Sequence, residues 1–397
     1  MRKIGMEGPL AGFKVIDLSR LLPGPFCSML LADMGADVIK VEDPKQGDYI
    51  RWWPPRIGQN SGFHVVLNRS KRSLTLNLKA EEGKKVFRRL IQDADVVLEG
   101  FRPGVMDRLG LGYESLKQIN PRIVYCAITG FGSEGARSQK AGHDINYLAL
   151  NGVLSYSGRD GRPALPGVQI ADIGGGGLLA AFSIVTGLLS RERSGQGQFI
   201  DISMTDGALT WNCLRWGKLL ADGVAPTPGD DFLNHGYACY NIYETRDGRH
   251  MSLGALEPQF WKGFCEAVGQ PQWDRPDYFE PGPHQKGLQN EIAGLFKQKT
   301  QAEWIDHFAP LDCCCEPILN LAEVMDDPHM IGRQMVVELV HESWGAYRQL
   351  GIAPKFSRTP GTIRSHAPEL GEHTGPILQD MGFTLDEIAQ WKEKGVV

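Results

Sequence analysis

Between Phe13 and Ile128 the chain alternates short apolar runs with helical patterns, and this alternation constrains the fold more than any other feature. Phe13–Leu18 and Ala36–Val41 read as strands around a helical stretch, Phe26–Met34, that Gly35 stops. Leu74–Leu78, Asp95–Glu99 and Ile123–Ile128 are further strands, separated by helical Ala80–Asp93 and Tyr113–Ile119. Strand and helix in turn predict an α/β fold with a parallel, doubly wound sheet. The turn at Leu21–Pro25 closes the first strand at its carboxyl end, which is where open α/β sheets hold ligands.

The second half changes character. Gly174–Gly177 precede Leu178–Leu189, apolar almost all round and expected as a buried central helix, not a membrane span. Phe199–Ser203 is a strand and Met204–Ala221 one helix, after which two prolines and two glycines in Gly223–Gly229 read as a linker. Cys239–Glu244 and His250–Leu253 form a hairpin around Asp247-Gly248. Helices near Phe260–Val268, Lys286–Lys297 and Gln301–Phe308 complete a smaller α+β domain. A chain of 397 residues exceeds one ordinary core. The expected division is therefore a large domain over 1–222, a linker over 223–236, a small domain over 237–325, and a segment, 326–397, that returns to the large domain. That last segment ends in a helix from Leu385 capped by Thr384.

With 42% hydrophobic and 22% charged residues the composition is that of a globular protein, and a net charge of -5 argues against nucleic-acid binding by bulk electrostatics. The N-terminal Met1–Gly12 has basic residues without the apolar core of a signal peptide, so the expected location is cytoplasmic, with no membrane span. Eight cysteines, including the triplet Cys313–Cys315, lack zinc-site or disulfide spacing and are expected as reduced, small buried hydrophobes.

Gly-His-Asp-Ile-Asn-Tyr, residues 142–147, concentrates chemistry: a histidine able to exchange a proton near neutrality, then Asp144 and Asn146 alternating with apolar Ile145 and Tyr147. The competing reading is a satisfied hydrogen-bonding pair in a loop. Asp172 stands just before the four glycines, where a helix N-terminus stabilises its charge. Simple capping accounts for it as well, but a glycine run also lets backbone approach a ligand. Glu257 precedes Pro258, a common helix start. Arg102, in Gly-Phe-Arg-Pro-Gly after a strand, is placed to meet phosphate, whereas Lys84, Lys85, Arg88 and Arg89 form a solvated helix face. No Walker loop or Gly-x-Gly-x-x-Gly fingerprint is present, so a phosphate-bearing ligand must be held by side chains.

Leu31–Glu42, Asn68–Lys79, Glu99–Tyr113, Gly130-Phe-Gly132 and Gly195–Asp201 together resemble the class III CoA-transferase superfamily, which includes formyl-CoA and carnitine CoA-transferases and α-methylacyl-CoA racemase. The resemblance implies a Rossmann-like large domain made from both chain ends, a small domain, and an interlocked homodimer. It places coenzyme A, as part of an acyl-CoA substrate and with no tightly bound cofactor, on Leu76, Lys79, Phe101, Arg102 and Arg108, with Arg72 nearby. Racemases in the superfamily carry the Gly-His-Asp-Ile-Asn-Tyr and Glu-Pro-Gln-Phe motifs, both present here, and formyl-CoA transferases usually have a glutamine where this chain has Leu22.

The resemblance thus implies racemisation of a 2-methylacyl-CoA: His143 and Asp172 as bases on opposite faces, Glu257 from the partner subunit orienting His143, and the backbone amide of Asp144 as an enolate donor. Two positions depart from that branch. Val168 occupies the place of an asparagine that racemases commonly carry four residues before the aspartate, in a context closer to transferases, and Asp43 replaces an arginine that often lies near the CoA adenine or phosphates. CoA transfer with Asp172 as nucleophile therefore stays open, as does a CoA-thioester binding protein without activity.

Overall fold

The computed structural model describes residues 8–397, so basic Arg2 and Lys3 of the N-terminal stretch lie outside the described residues. A six-stranded parallel sheet organises the first of two compact units. Its strands are β1 (Lys14–Asp17), β2 (Asp37–Glu42), β3 (Lys71–Thr75), β4 (Val96–Glu99), β5 (Val124–Thr129) and β6 (Phe199–Ser203). Their order across the sheet is β6-β5-β4-β1-β2-β3, the doubly wound arrangement. Registers such as Val15 against Val38 and against Val96 bring the carboxyl ends of β1 and β4 side by side. The strand order reverses between those two, so the loops after them border the topological switch point.

Strands with apolar residues on both faces require cover on both sides. Helix α1 (Pro23–Asp33) follows β1, and α2 (Glu81–Ile91) packs Val86, Phe87, Leu90 and Ile91 into the core with Ile16, Ile39, Leu74 and Val97. The returning tail joins the same core through Ile377, Leu378, Ile388 and Trp391. Thr384 caps the last helix, accepting from the Glu387 amide at 3.2 Å.

Several expectations shift. Pro23 and Pro25 lie inside α1, not in a turn before it, because a proline in the first turn needs no amide donor. Strand β3 begins at Lys71, three residues before Leu74, and the Lys71 ammonium is buried and paired with Asp17. The single helix expected over 204–221 breaks at Trp211–Asn212 into Met204–Thr210 and Cys213–Asp222, and only the first half belongs to the sheet-bearing unit.

Among the described residues that unit comprises 8–151, 169–211 and 328–397; the second comprises 152–168 and 212–327. The second unit holds an antiparallel sheet of β7 (Tyr240–Glu244), β8 (His250–Gly254) and β9 (Cys315–Pro317) over a core of Trp261, Phe264, Phe296, Trp304 and Phe308. Cys313 and Cys315 are buried in that core, whereas Cys314 is half-exposed with a left-handed φ of 53°.

Residues 170–194 form one continuous helix, π-wound over Ile170–Leu178 and α-wound over Leu179–Ser194. It is the one helix among the described residues long and apolar enough to cross a membrane by length and composition, but half of its most apolar window is buried within the chain. The expected all-round burial does not hold. Ala180, Ile184 and Leu188 face inward, while Leu178, Phe182, Val185 and Leu189 leave an apolar face exposed.

Candidate active site

A cavity of about 490 Å³ opens over the switch point. After β1 the loop and the first turn of α1 supply Ser19, Arg20, Leu21, Pro23 and Gly24, and the loop after β4 supplies Gly100, Phe101, Arg102 and Pro103. Ile128, Thr129 and Gly130 end β5 beneath it, and Lys140 to His143, Tyr147 and Asp172 complete the wall. His143 and Asp172, 29 residues apart in sequence, are therefore brought to one cavity.

Local sequence explains how. His143 is extended and immediately precedes the helix Asp144–Leu150, so residues 144–147 form that helix's first turn. Its backbone amide donates to Asn146 Oδ1 at 3.0 Å, which fixes the entry of the chain and leaves the exposed imidazole at the cavity. Tyr147 donates its hydroxyl to the Gly142 carbonyl at 2.6 Å and stacks edge-on against Phe131 at 5.2 Å. Gly130 and Gly142 make this possible: a Cβ on either falls 2.6 or 2.7 Å from the Tyr147 ring.

The Asp144 side chain points elsewhere. Its Oδ1 accepts from the amides of Ala171 at 2.7 Å and Asp172 at 3.0 Å, tying the histidine segment to the start of the helix that bears Asp172. Burial first, and the neighbouring Asp144 charge second, raise the Asp172 carboxyl to about 7. A cavity-lining carboxyl titrating near neutrality both takes and gives a proton at that pH.

The glycine run after Asp172 serves packing, not the close approach of a ligand. A Cβ on Gly174 meets the Trp211 ring at 2.8 Å, one on Gly175 the Ala208 amide at 2.6 Å and the Met204 carbonyl at 2.7 Å, and one on Gly177 the Pro23 carbonyl at 2.6 Å. The helix is thus wedged backbone to backbone between α1 and Met204–Thr210, which holds Asp172 in place.

Of the residues expected at CoA, Phe101 and Arg102 line the cavity. The Phe101 amide donates to Glu99 Oε2 at 2.6 Å, and the Arg20 guanidinium lies 5.1 Å over its ring. Burial raises the Glu99 carboxyl to about 7. Lys79 and Arg108 are exposed outside the cavity wall. The Leu76 side chain is packed in the core and only 2% exposed, and Arg72 is held by Asp37 at 2.6 and 3.0 Å. Asp43 is exposed, its carboxylate accepting from the amides of Lys45 and Gln46.

Glu257 lies in the second unit, exposed at the start of helix Pro258–Ala267, whose Phe260 and Trp261 amides donate to its carbonyl. Trp261 is fully buried in that unit's core. Tyr240 lines a separate cavity of about 470 Å³ within the unit. Val168 is exposed.

Sequence reasoning missed Arg20, Tyr49, Thr129 and Lys140 as wall residues. Position after the first strand was a signal for Arg20. Nothing in the pattern marked Thr129, whose hydroxyl is buried without a hydrogen-bond partner, Tyr49, which begins the short 3-10 helix Tyr49–Trp52, or Lys140, which a loop delivers.

Residues 10–374 match CoA-transferase family III. The chain is 39% identical over 391 residues to an α-methylacyl-CoA racemase of Mus musculus, covering 98% of this chain and 97% of the relative. It is 32% identical to a succinyl-CoA:glutarate CoA-transferase of Homo sapiens, covering 94% and 86%. The crystal structure of a CAIB/BAIF family protein from Brucella suis superposes with a TM-score of 0.83 at 30% identity, covering 94% of this chain and all of that one.

Proposed function

The chain belongs to CoA-transferase family III, and from that premise we propose that it is an acyl-CoA racemase or epimerase, moving the α-proton of a 2-methylacyl-CoA thioester from one face to the other. The observation that carries this reading is the meeting of His143 and an Asp172 carboxyl raised to about 7 on the wall of one cavity. Two-base exchange needs one group ready to accept and another holding a proton at the same pH, and an ordinary aspartate is ionised there.

In this reading the thioester acidifies the α-proton. Neutral His143 removes it from one enantiomer, protonated Asp172 delivers a proton to the opposite face, and the roles reverse for the other enantiomer. The Asp144 amide, at the start of its helix, donates to the enolate oxygen as charge develops there. Glu257, contributed by the partner subunit, orients the His143 ring. Cationic Arg20, Arg102 and Lys140 around Phe101 suit the phosphates of coenzyme A. The exposed face of Phe182 and Leu189, and within the second unit that of Leu214, Trp216 and Leu220, support a homodimer that covers them.

CoA transfer is the second reading, favoured by the transferase relatives and by Val168 before Asp172. Here the Asp172 carboxylate attacks the thioester carbonyl and expels the CoA thiolate. Heavy-water exchange at the α-carbon without an acceptor acid supports racemisation, and a covalent adduct on Asp172 in the mass spectrum supports transfer. Exchange that persists undiminished in His143→Ala overturns the role of His143.

A further inference from the structure

Four charged side chains that no step above uses are buried beneath Ser19–Pro25, the loop after β1 together with the first turn of α1: Asp17 and Lys40 are 0% and Asp48 and Lys71 1% exposed. Each reaches the backbone of that segment. Asp17 accepts from the Ser19 amide at 2.8 Å, Lys40 Nζ donates to the Ser19 carbonyl at 2.9 Å, both Asp48 oxygens accept from the Leu21 amide at 3.2 Å, and Lys71 Nζ donates to the Pro25 carbonyl at 2.9 Å. They also pair with one another, Lys40 with Asp48 at 3.0 Å and Lys71 with Asp17 at 3.7 Å. Asp48 is itself braced: its amide donates at 3.0 Å to Glu42, which Arg51 grips at 2.8 and 2.6 Å.

The segment so held lines the cavity that His143 and Asp172 also line. Leu21 within it has a φ of 63°, a left-handed conformation that a leucine keeps only when its surroundings impose it, and such residues gather at functional sites. Through the Pro23 carbonyl the segment also abuts Gly177 on the helix that carries Asp172. Stability alone does not account for the arrangement, because buried ion pairs are often no more stabilising than apolar side chains of the same volume. What they add is a fixed geometry.

We propose that Asp17, Lys40, Asp48 and Lys71 are positioning residues, a buried charge clamp that sets the Ser19–Pro25 segment against the acyl thioester. The identity of that substrate rests on the function proposed above; the clamp does not. None of the four touches the reacting atoms.

Two variants test it. Lys40→Met removes the donor to the Ser19 carbonyl, and Asp48→Asn keeps an acceptor for the Leu21 amide while removing the charge that pairs with Lys40. The expected result is roughly a 100-fold fall in kcat for α-proton exchange in Lys40→Met and about tenfold in Asp48→Asn, losses of the size a slightly misplaced site produces. The dissociation constant for free coenzyme A rises by less than kcat falls, because Arg20 lies in the segment but Arg102 and Lys140 do not. Amide hydrogens in the peptide spanning residues 18–26 exchange faster, while the circular dichroism spectrum is retained.

Wild-type kcat in either folded variant overturns the clamp, as does a loss of coenzyme A affinity as large as the loss of kcat. If Lys40→Met does not fold, Asp48→Asn decides. If the wild-type protein shows no α-proton exchange, the racemase reading fails by itself. The same variants are then scored by the rate at which Asp172 is acylated, and an unchanged rate overturns the clamp.

Discussion

Replacing Asp172 with asparagine should abolish α-proton exchange and at the same time stabilise the fold, with a pH dependence that identifies the cause. The carboxyl is raised from 3.8 to about 7, mainly by burial. A shift of roughly 3 units corresponds to about 4 kcal/mol between the two protonation states. The sign follows from linkage. Below about pH 4 the carboxyl is protonated in both folded and unfolded chains and costs nothing. Between about 4 and 7 the unfolded chain gains stability by ionising while the folded one does not, and above about 7 the full cost is present. Asparagine has the same shape and no charge to bury. Asp172→Asn should therefore gain about 4 kcal/mol over wild type at pH 8, under half of that at pH 5, and nothing near pH 3.5. Thermal unfolding of the sheet-bearing unit at these three pH values measures it, with exchange assayed in parallel. A stability difference independent of pH, or a wild type more stable than the variant at pH 8, refutes the argument that burial has raised this group.

Three further outcomes follow from the same geometry. Asp144→Asn keeps an acceptor for the Ala171 and Asp172 amides but removes a charge; because Asp144 is the smaller of the two causes of the Asp172 shift, the inflection of kcat/KM that reports Asp172 (the alkaline limb where Asp172 is the acid, the acid limb where it is the base) should fall by less than about 1.5 units, read from a pH profile. His143→Ala should reduce α-proton exchange by roughly 10²–10⁴-fold, the usual worth of a general base, with little change in coenzyme A affinity. Gly175→Ala places a methyl group 2.6 Å from the Ala208 amide and 2.7 Å from the Met204 carbonyl, backbone that cannot step aside; it should cost about 1–3 kcal/mol or more in a denaturant titration.

The architecture of the sheet was legible before any coordinates. Alternating apolar runs and helical stretches require parallel strands with crossovers, and strands β1, β2, β4, β5 and β6 fall within a residue or two of where that pattern puts them. At β3 the pattern falls short: the strand starts at Lys71, whose buried ammonium pairs with Asp17, a contact that a pattern of apolar residues does not register. The helix over 170–194 gives a second case. Its apolar composition predicts burial, but periodicity cannot tell a face packed within the chain from one left for another surface.

The site divides in the same way. Residue types and spacing by themselves identified His143, Asp172 and Arg102 as groups worth following, because proton transfer and phosphate binding need those chemistries and the ends of strands present them. Only the tertiary structure decided that His143 and Asp172 share a wall, that Asp144 spends its carboxylate on the amides of Ala171 and Asp172, and that the four glycines pack against helices. The physical reason is that proton affinity and packing depend on distance and burial. Asp172 is an ordinary aspartate in the sequence and becomes a near-neutral acid only when the fold removes its water and sets a second carboxylate beside it.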